Sequence, residues 1–448
     1  MTIRVELDVS SSLAKTWARL KKFSIWHLLL VVLALHFLIM SVPSDGFVFD
    51  EAHYVPAAVQ TLNFQPANAE HTPLAKAMVA ASIGIFGDYW LAWRLPIVLA
   101  SVASIYVFYL IACRFLTERN ALLATAFLSF DVLFFVNGSI FILDMPAILF
   151  GLLGIELYLA KRYKWCGVAF GVSFLMKELG LFFLGVVIVY HVFTHLNVKK
   201  WFNKVSFRKF GSFFLILLLV GGGGLWIYDI AYKPPMSTTL VQNINQNIVV
   251  DPNGTTLTTI TTTTNSTISE YITNPVQHML FSWGYFTGLA PAINTTEADF
   301  RPPWTWILPI GDIFNSPHYF SVAVTVGDIT TTTVDYISQI TPTVAYMLIP
   351  IFAAALWNLA KKKDTKLSLF FTAWIATTYL PWLLFGLFVQ RMTFNYYFIY
   401  TIPALALGIP FFWNSLPLSD RVKKAAMLTQ LAVTVVFFLA FYPVVLIR

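Results

Sequence analysis

Apolar runs of about 20 residues recur from one end of the chain to the other, separated by short polar or basic joins. Eleven can be drawn: 25–42, 91–113, 121–137, 144–160, 165–179, 180–196, 210–230, 342–360, 367–389, 396–413 and 425–446. Runs of this length can cross the hydrocarbon layer as helices, which satisfy their own backbone groups. The runs at 121–137, 165–179 and 180–196 are short or abut each other, so their ends are the least sharply drawn. The first run follows a basic arm and has no small-residue cleavage site, so it reads as a signal anchor.

Two joins are long. The first, about 43–90, holds apolar stretches at 52–62 and 73–87 that read as helices lying at the interface, with Asp50 as N-cap of the first. The second, about 231–341, is rich in Thr, Asn, Pro and aromatics. Its Thr run 255–264 reads as linker or strand, and 270–320 as an aromatic part packed against the membrane surface. The chain thus divides into an N-terminal transmembrane module (1–230), a large extracytoplasmic loop (231–341) and C-terminal transmembrane helices (342–448). No internal repeat of the kind found in many transporters is visible.

Charge fixes the expected orientation. With the N-terminal arm (Arg4, Lys15, Arg19, Lys21, Lys22) in the cytoplasm, every alternate join should be basic. Those joins hold Arg114 and Arg119, Lys161 to Lys164, Lys199 to Lys209, Lys361 to Lys366, and Arg421 to Lys424, which brings 22 of the 29 cations inside. The formal charge of +7 is therefore a topology signal. No clustered basic face suggests a nucleic-acid partner. Only 11% of residues are charged and 58% are hydrophobic, which leaves no room for a large soluble core. Two cysteines give no disulfide framework. Sequons at Asn253, Asn265 and Asn294 all fall in the large loop, as an outer loop requires.

Seven cations remain on the outer side. Four of them, Lys76, Arg94, Lys177 and Arg391, sit at the outer ends of apolar runs. Singly, each reads equally well as a side chain snorkelling to the headgroups. Together with Asp50, Glu51, Glu70, Asp131, Asp144 and Glu178 at similar depth, they suggest a polar cavity open to the outside that takes an anionic ligand such as a lipid phosphate. Asp50 and Glu51 read either as a helix cap or as a general base beside an acceptor hydroxyl. His71 reads as hydrogen-bonding scaffold, second proton handler or metal ligand, and His53 as a supporting or acceptor-side residue. Asp131, Asp144 and Glu178 read as partners that hold the cations. Trp304 and Trp306 read as interfacial anchors or as walls of an acceptor groove. Clusters of Asp, Glu and His also bind divalent ions, but no ligand spacing here is specific enough to predict a metal.

Several segments, in order, resemble the protein O-mannosyltransferases. They are Phe49-Asp50-Glu51-Ala52-His53-Tyr54, Glu70-His71-Thr72-Pro73-Leu74-Ala75-Lys76, Arg94-Leu95-Pro96, Phe130-Asp131, Ile142-Leu143-Asp144, Met176-Lys177-Glu178-Leu179-Gly180-Leu181-Phe182, Pro303-Trp304-Thr305-Trp306 and Arg391-Met392-Thr393-Phe394-Asn395-Tyr396-Tyr397. The resemblance implies an all-α polytopic membrane protein of the C-type glycosyltransferase fold, with about eleven transmembrane helices. It implies mannose transfer from a dolichyl or other polyprenyl phosphate to Ser/Thr hydroxyls of proteins on the extracytoplasmic face, with inversion. Asp50 would be the base, assisted by Glu51. Arg94, Lys177, Arg391 and Lys76 would hold the donor phosphate. No cofactor is required beyond the lipid-linked donor. Thr72 replaces the first of two prolines usual in the family, Gly138-Ser139 stands where an arginine often does, and the large loop lacks the MIR domain of eukaryotic members. The short chain and the sequons together suggest the membrane of an archaeal-type cell. Two rivals stand beside this reading: a transferase of polyprenyl-phosphate sugars onto a glycan or lipid, and a transporter or flippase of a lipid-linked solute.

Overall fold

In the computed structural model the described residues are 24–41, 47–194, 204–236, 242–250, 256–264, 270–288, 302–307, 318–326, 329–389 and 393–441. Every predicted apolar run falls on helical backbone within them. In chain order the helices are α1 (Ile25–Met40), α2 (Glu51–Leu62), α3 (Leu74–Phe86), α4 (Trp90–Cys113), α5 (Glu118–Ser129), α6 (Val132–Asn137), α7 (Asp144–Leu159), α8 (Tyr163–Met176), α9 (Leu181–Thr194), α10 (Lys204–Leu217), α11 (Gly223–Tyr232), α12 (Pro275–Gly288), α13 (Pro342–Ala345), α14 (Leu348–Ala360), α15 (Thr365–Thr378), α16 (Leu380–Leu384), α17 (Ile402–Ser415) and α18 (Asp420–Phe441). Among the described residues, five continuous stretches are long and apolar enough to cross a membrane: Trp90–Cys113, Gly211–Tyr232, Pro342–Ala360, Thr365–Val389 and Asp420–Phe441. The predicted interfacial helices are α2 and α3.

The core gathers around α7, which packs on α4, α8 and α9. Glycine permits this closeness. A Cβ on Gly151 would lie 2.2 Å from the Phe183 ring, and one on Gly154 would lie 2.7 Å from Phe170. Small residues at such contacts let helix backbones approach where lipid offers no hydrophobic drive. The predicted run 121–137 is broken at Phe130–Asp131 into α5 and α6. Asp131 caps α6 there by accepting from Phe134 N (2.9 Å).

The large loop holds two antiparallel hairpins, β1 (Gln242–Val250) with β2 (Thr256–Thr264) and β3 (His318–Val326) with β4 (Ile329–Ser338). The Thr run forms β2, one of its two expected states. The β3–β4 pair was not predicted. The sequons at Asn253, Asn265 and Asn294 lie outside the described residues, and so does Arg391.

Candidate active site

Five segments converge at one end of the helix bundle: the start of α2, residues 70–71, the turn Lys177–Leu179, α12, and 394–397. Between them lies an open cleft of about 830 Å³, counting the space at its mouth. Its polar lining is Asp50, His53, Glu70, His71, Lys177 and Glu178. Tyr54, Tyr285, Phe286, Tyr396 and Tyr397 contribute aromatic walls.

The chain enters α2 through Phe49, which has a left-handed backbone (φ 51°). A residue with a β-carbon adopts this conformation only where its surroundings hold it. The Phe49 ring is held edge-on against Tyr396, with centroids 5.4 Å apart. Asp50 then occupies the cap position, but its side chain makes no capping hydrogen bond, contrary to expectation. Glu51 instead accepts from the N–H of Val48 (2.9 Å). The Asp50 carboxylate, half-buried, is left to the cleft. Burial pushes its pKa up from 3.8 to about 6, against the opposing pull of Lys177 and with a further push from Asp144.

Lys177 follows the end of α8. Its ammonium donates to Asp144 Oδ2 (2.8 Å), and the Tyr400 hydroxyl donates to Asp144 Oδ1 (2.9 Å). Two elements thus fix the cation's position. Beside it Glu178 Oε1 meets His71 Nδ1 at 2.6 Å, so Glu178 holds a histidine. Thr72, at the family's proline position, donates its hydroxyl to Phe174 O (2.7 Å), a bond no proline could make. It ties the first outer loop to α8.

Other predicted site residues lie away from the cleft. Arg94 and Glu51 are fully buried and form a two-pronged pair, Nε to Oε1 and Nη2 to Oε2, both 2.7 Å. Phe141 N also donates to Glu51 Oε1 (3.0 Å). Neither residue lines the cleft, which corrects the expectation of a phosphate ligand and a second catalytic carboxylate. The physical reason is that each neutralises the other's buried charge. The Lys76 ammonium is buried and donates to Asn68 O (2.7 Å), Asn68 Oδ1 (2.9 Å) and His71 O (3.1 Å). It orders the loop instead of facing the cleft. Asp131 pairs with no cation among the described residues and serves as a cap. Trp306 is 2% exposed and packs on Tyr379 and Phe398, so it is neither anchor nor groove wall. Trp304 lies beside Gly386. No cluster of three or more metal-binding side chains occurs among the described residues.

Residues 70–226 match the model of the family described as dolichyl-phosphate-mannose-protein mannosyltransferase. No match was found among curated proteins. The fold resembles that of the Saccharomyces cerevisiae protein O-mannosyltransferase Pmt1–Pmt2 complex bound to the sugar donor, with a TM-score of 0.64, 14% identity, and coverage of 94% of this chain and 90% of that one. ArnT from Cupriavidus metallidurans bound to undecaprenyl phosphate follows at 0.53 and 16% identity, with 93% and 64% covered. The Archaeoglobus fulgidus oligosaccharyltransferase gives 0.50 and 11%, with 95% and 55% covered. At such identities the likeness is one of fold, and the family match is confined to residues 70–226.

The chain has the C-type glycosyltransferase membrane fold.

The cleft also contains residues that sequence reasoning passed over. Tyr54 stands one helical turn after Asp50, a spacing that could have marked it. Glu70 was noted for its depth but given no role. Tyr285 and Phe286 come from the aromatic part of the large loop, and nothing local in sequence says that this part turns back over the first loop. It does so through α12. Ser282 donates to Ala69 O (3.1 Å), and His278 meets Asp229 at the end of α11 at 2.6 Å, both side chains fully buried.

Proposed function

We propose that the chain moves mannose from a polyprenyl (dolichyl) phosphate onto Ser/Thr hydroxyls of proteins at the extracytoplasmic face, inverting the sugar's anomeric configuration. The observation that carries this reading is Asp50. Its carboxylate has no hydrogen-bond partner among the described residues, lines the cleft, and lies near enough to Lys177 for the two charges to act on each other. A hydroxyl against Asp50 passes its proton to the carboxylate as its oxygen attacks the anomeric carbon. The bond from that carbon to the phosphate oxygen breaks, and the electron pair leaves with the lipid phosphate. Lys177, held in place by Asp144, supplies fixed positive charge for that leaving group, so no general acid is needed. In this reading Arg391 joins Lys177 on sequence grounds, and Glu51 with Arg94 holds the start of α2. The matched family and the lipid-phosphate and sugar-donor complexes of the similar structures support the choice of donor.

The test is transfer from radiolabelled polyprenyl-phosphate mannose to a Thr-containing peptide by the purified protein. Asp50→Asn should lower transfer at least about 100-fold while donor binding persists. Equal transfer by both proteins would remove Asp50 from the role of base. Labelling of a glycan or lipid acceptor in place of the peptide would favour the second reading, a transferase of polyprenyl-phosphate sugars onto a glycan or lipid.

A further inference from the structure

The cleft holds a second carboxylate that the proposed reaction leaves unused. Glu70 lines it, half-buried, and no hydrogen bond or ion pair among the described residues engages its side chain. Lys76 is near enough for the two charges to act on each other, yet its ammonium donates to the acceptors of Asn68 and His71 and forms no ion pair with Glu70. Close by is Tyr54, only 5% exposed, its ring packed against His71 and Phe141 with centroids 6.1 and 6.0 Å away. Its hydroxyl also lacks a hydrogen-bond partner among the described residues, although the side chain lines the cleft. Tyr54 N bonds to Asp50 O (2.9 Å), so the two side chains stand one above the other on one face of α2. The Tyr54 hydroxyl is therefore open to the cleft, where a ligand or water can complete its hydrogen bonds.

With Asp50 assigned to the proton and Lys177 already bonded to Asp144, the cleft retains the Glu70 carboxylate, the Tyr54 oxygen and aromatic faces that include Tyr285. These are acceptors and π surface, the groups that an ammonium or guanidinium seeks. An anionic acceptor would instead meet Asp50 and Glu70 as like charges.

We propose that Glu70, with Tyr54 beside it, selects hydroxyl acceptors that carry a positive charge next to the reacting hydroxyl, such as Ser or Thr flanked by Lys or Arg, and disfavours acceptors bearing phosphate or carboxylate there. This rests on the reading that a protein hydroxyl is the acceptor. The carboxylate is a specificity determinant: it acts on the group beside the hydroxyl and takes no part in bond making.

The experiment uses the full chain with polyprenyl-phosphate mannose and three peptides that differ only in the residue next to one Thr, which is Lys, Ala or Glu. Wild type should rank them Lys over Ala over Glu, with kcat/KM differing about tenfold between Lys and Glu at low salt and less at high salt. Glu70→Gln should erase the ranking, and Glu70→Lys should reverse it, a gain that a misfolded variant cannot show. Equal transfer to all three peptides by wild type, or an unchanged ranking in both variants, overturns the proposal. Asp50→Asn separates the two readings. If it transfers normally while the Lys preference persists, the base assignment fails and the charge selection stands. If wild type labels no peptide, the protein-acceptor reading fails and this inference falls with it.

Discussion

Glu51 gives its carboxylate to Arg94 and to the N–H groups of Val48 and Phe141, while Asp50, one residue earlier, keeps its own carboxylate in the cleft. The raised pKa of Asp50, about 6, has two consequences. As a base it must be ionised, so transfer should rise with pH through about 6 and then level off, as a pH–rate profile would show. The folded state also binds this proton more tightly than the unfolded chain does, so the group's contribution falls as pH rises from about 4 to about 6 and then stays low. Asp50→Asn should therefore unfold at a higher temperature than wild type above pH 6, the gap closing below pH 4. Arg94→Ala leaves the Glu51 charge buried alone and should cost about 3–5 kcal/mol of stability, read by thermal unfolding. Lost donor affinity with stability intact would return Arg94 to the phosphate. The sequence marked all these charged residues. It could not show which pair would be neutralised inside the fold, because that depends on α4 packing against the start of α2.

Apolar length made the eleven long runs legible as helical, since a run of about 20 residues has few other stable forms in lipid. Its interruptions were not legible. The Asp131 break appears as an isolated acid within a continuous apolar run. Ahead of Gly327 and Asp328, β3 alternates Val322, Val324 and Val326 with Ser321, Ala323 and Thr325, a period-two signal that went unread within a Thr-rich loop. Close packing is likewise decided between elements. Gly151→Ala should press a methyl into Phe183 and cost about 1–3 kcal/mol, whereas the same change at Gly284, where a Cβ has open space, should not. Thermal unfolding of the two variants compares them directly. The placement of α12 rests on the buried His278–Asp229 pair and on Ser282. His278→Ala should speed hydrogen exchange in α12 and raise KM for the acceptor more than it lowers kcat, because the helix carries Tyr285 and Phe286.

At the scale of the whole molecule, the alternation of basic joins predicts that Lys363 faces the cytoplasm and Asn63 the outside. Both are exposed, and so is Cys113. Single cysteines placed at 363 and 63 in a Cys113→Ala background should differ in whole cells, with only the one at 63 reacting with an impermeant maleimide. Equal labelling would overturn the orientation. The membrane character of the chain, its helical runs, the expected orientation and the carboxylates and cations held at one depth all follow from residue order alone, because hydrophobic length and charge placement act locally on the chain as it meets the bilayer. Which of those charges face the cleft was decided only when distant segments packed together. Ion pairs form across more than 30 residues in Lys177–Asp144 and more than 40 in Arg94–Glu51, and each pairing either holds a side chain at the cleft or removes it from the cleft, a distinction that no spacing along the sequence records.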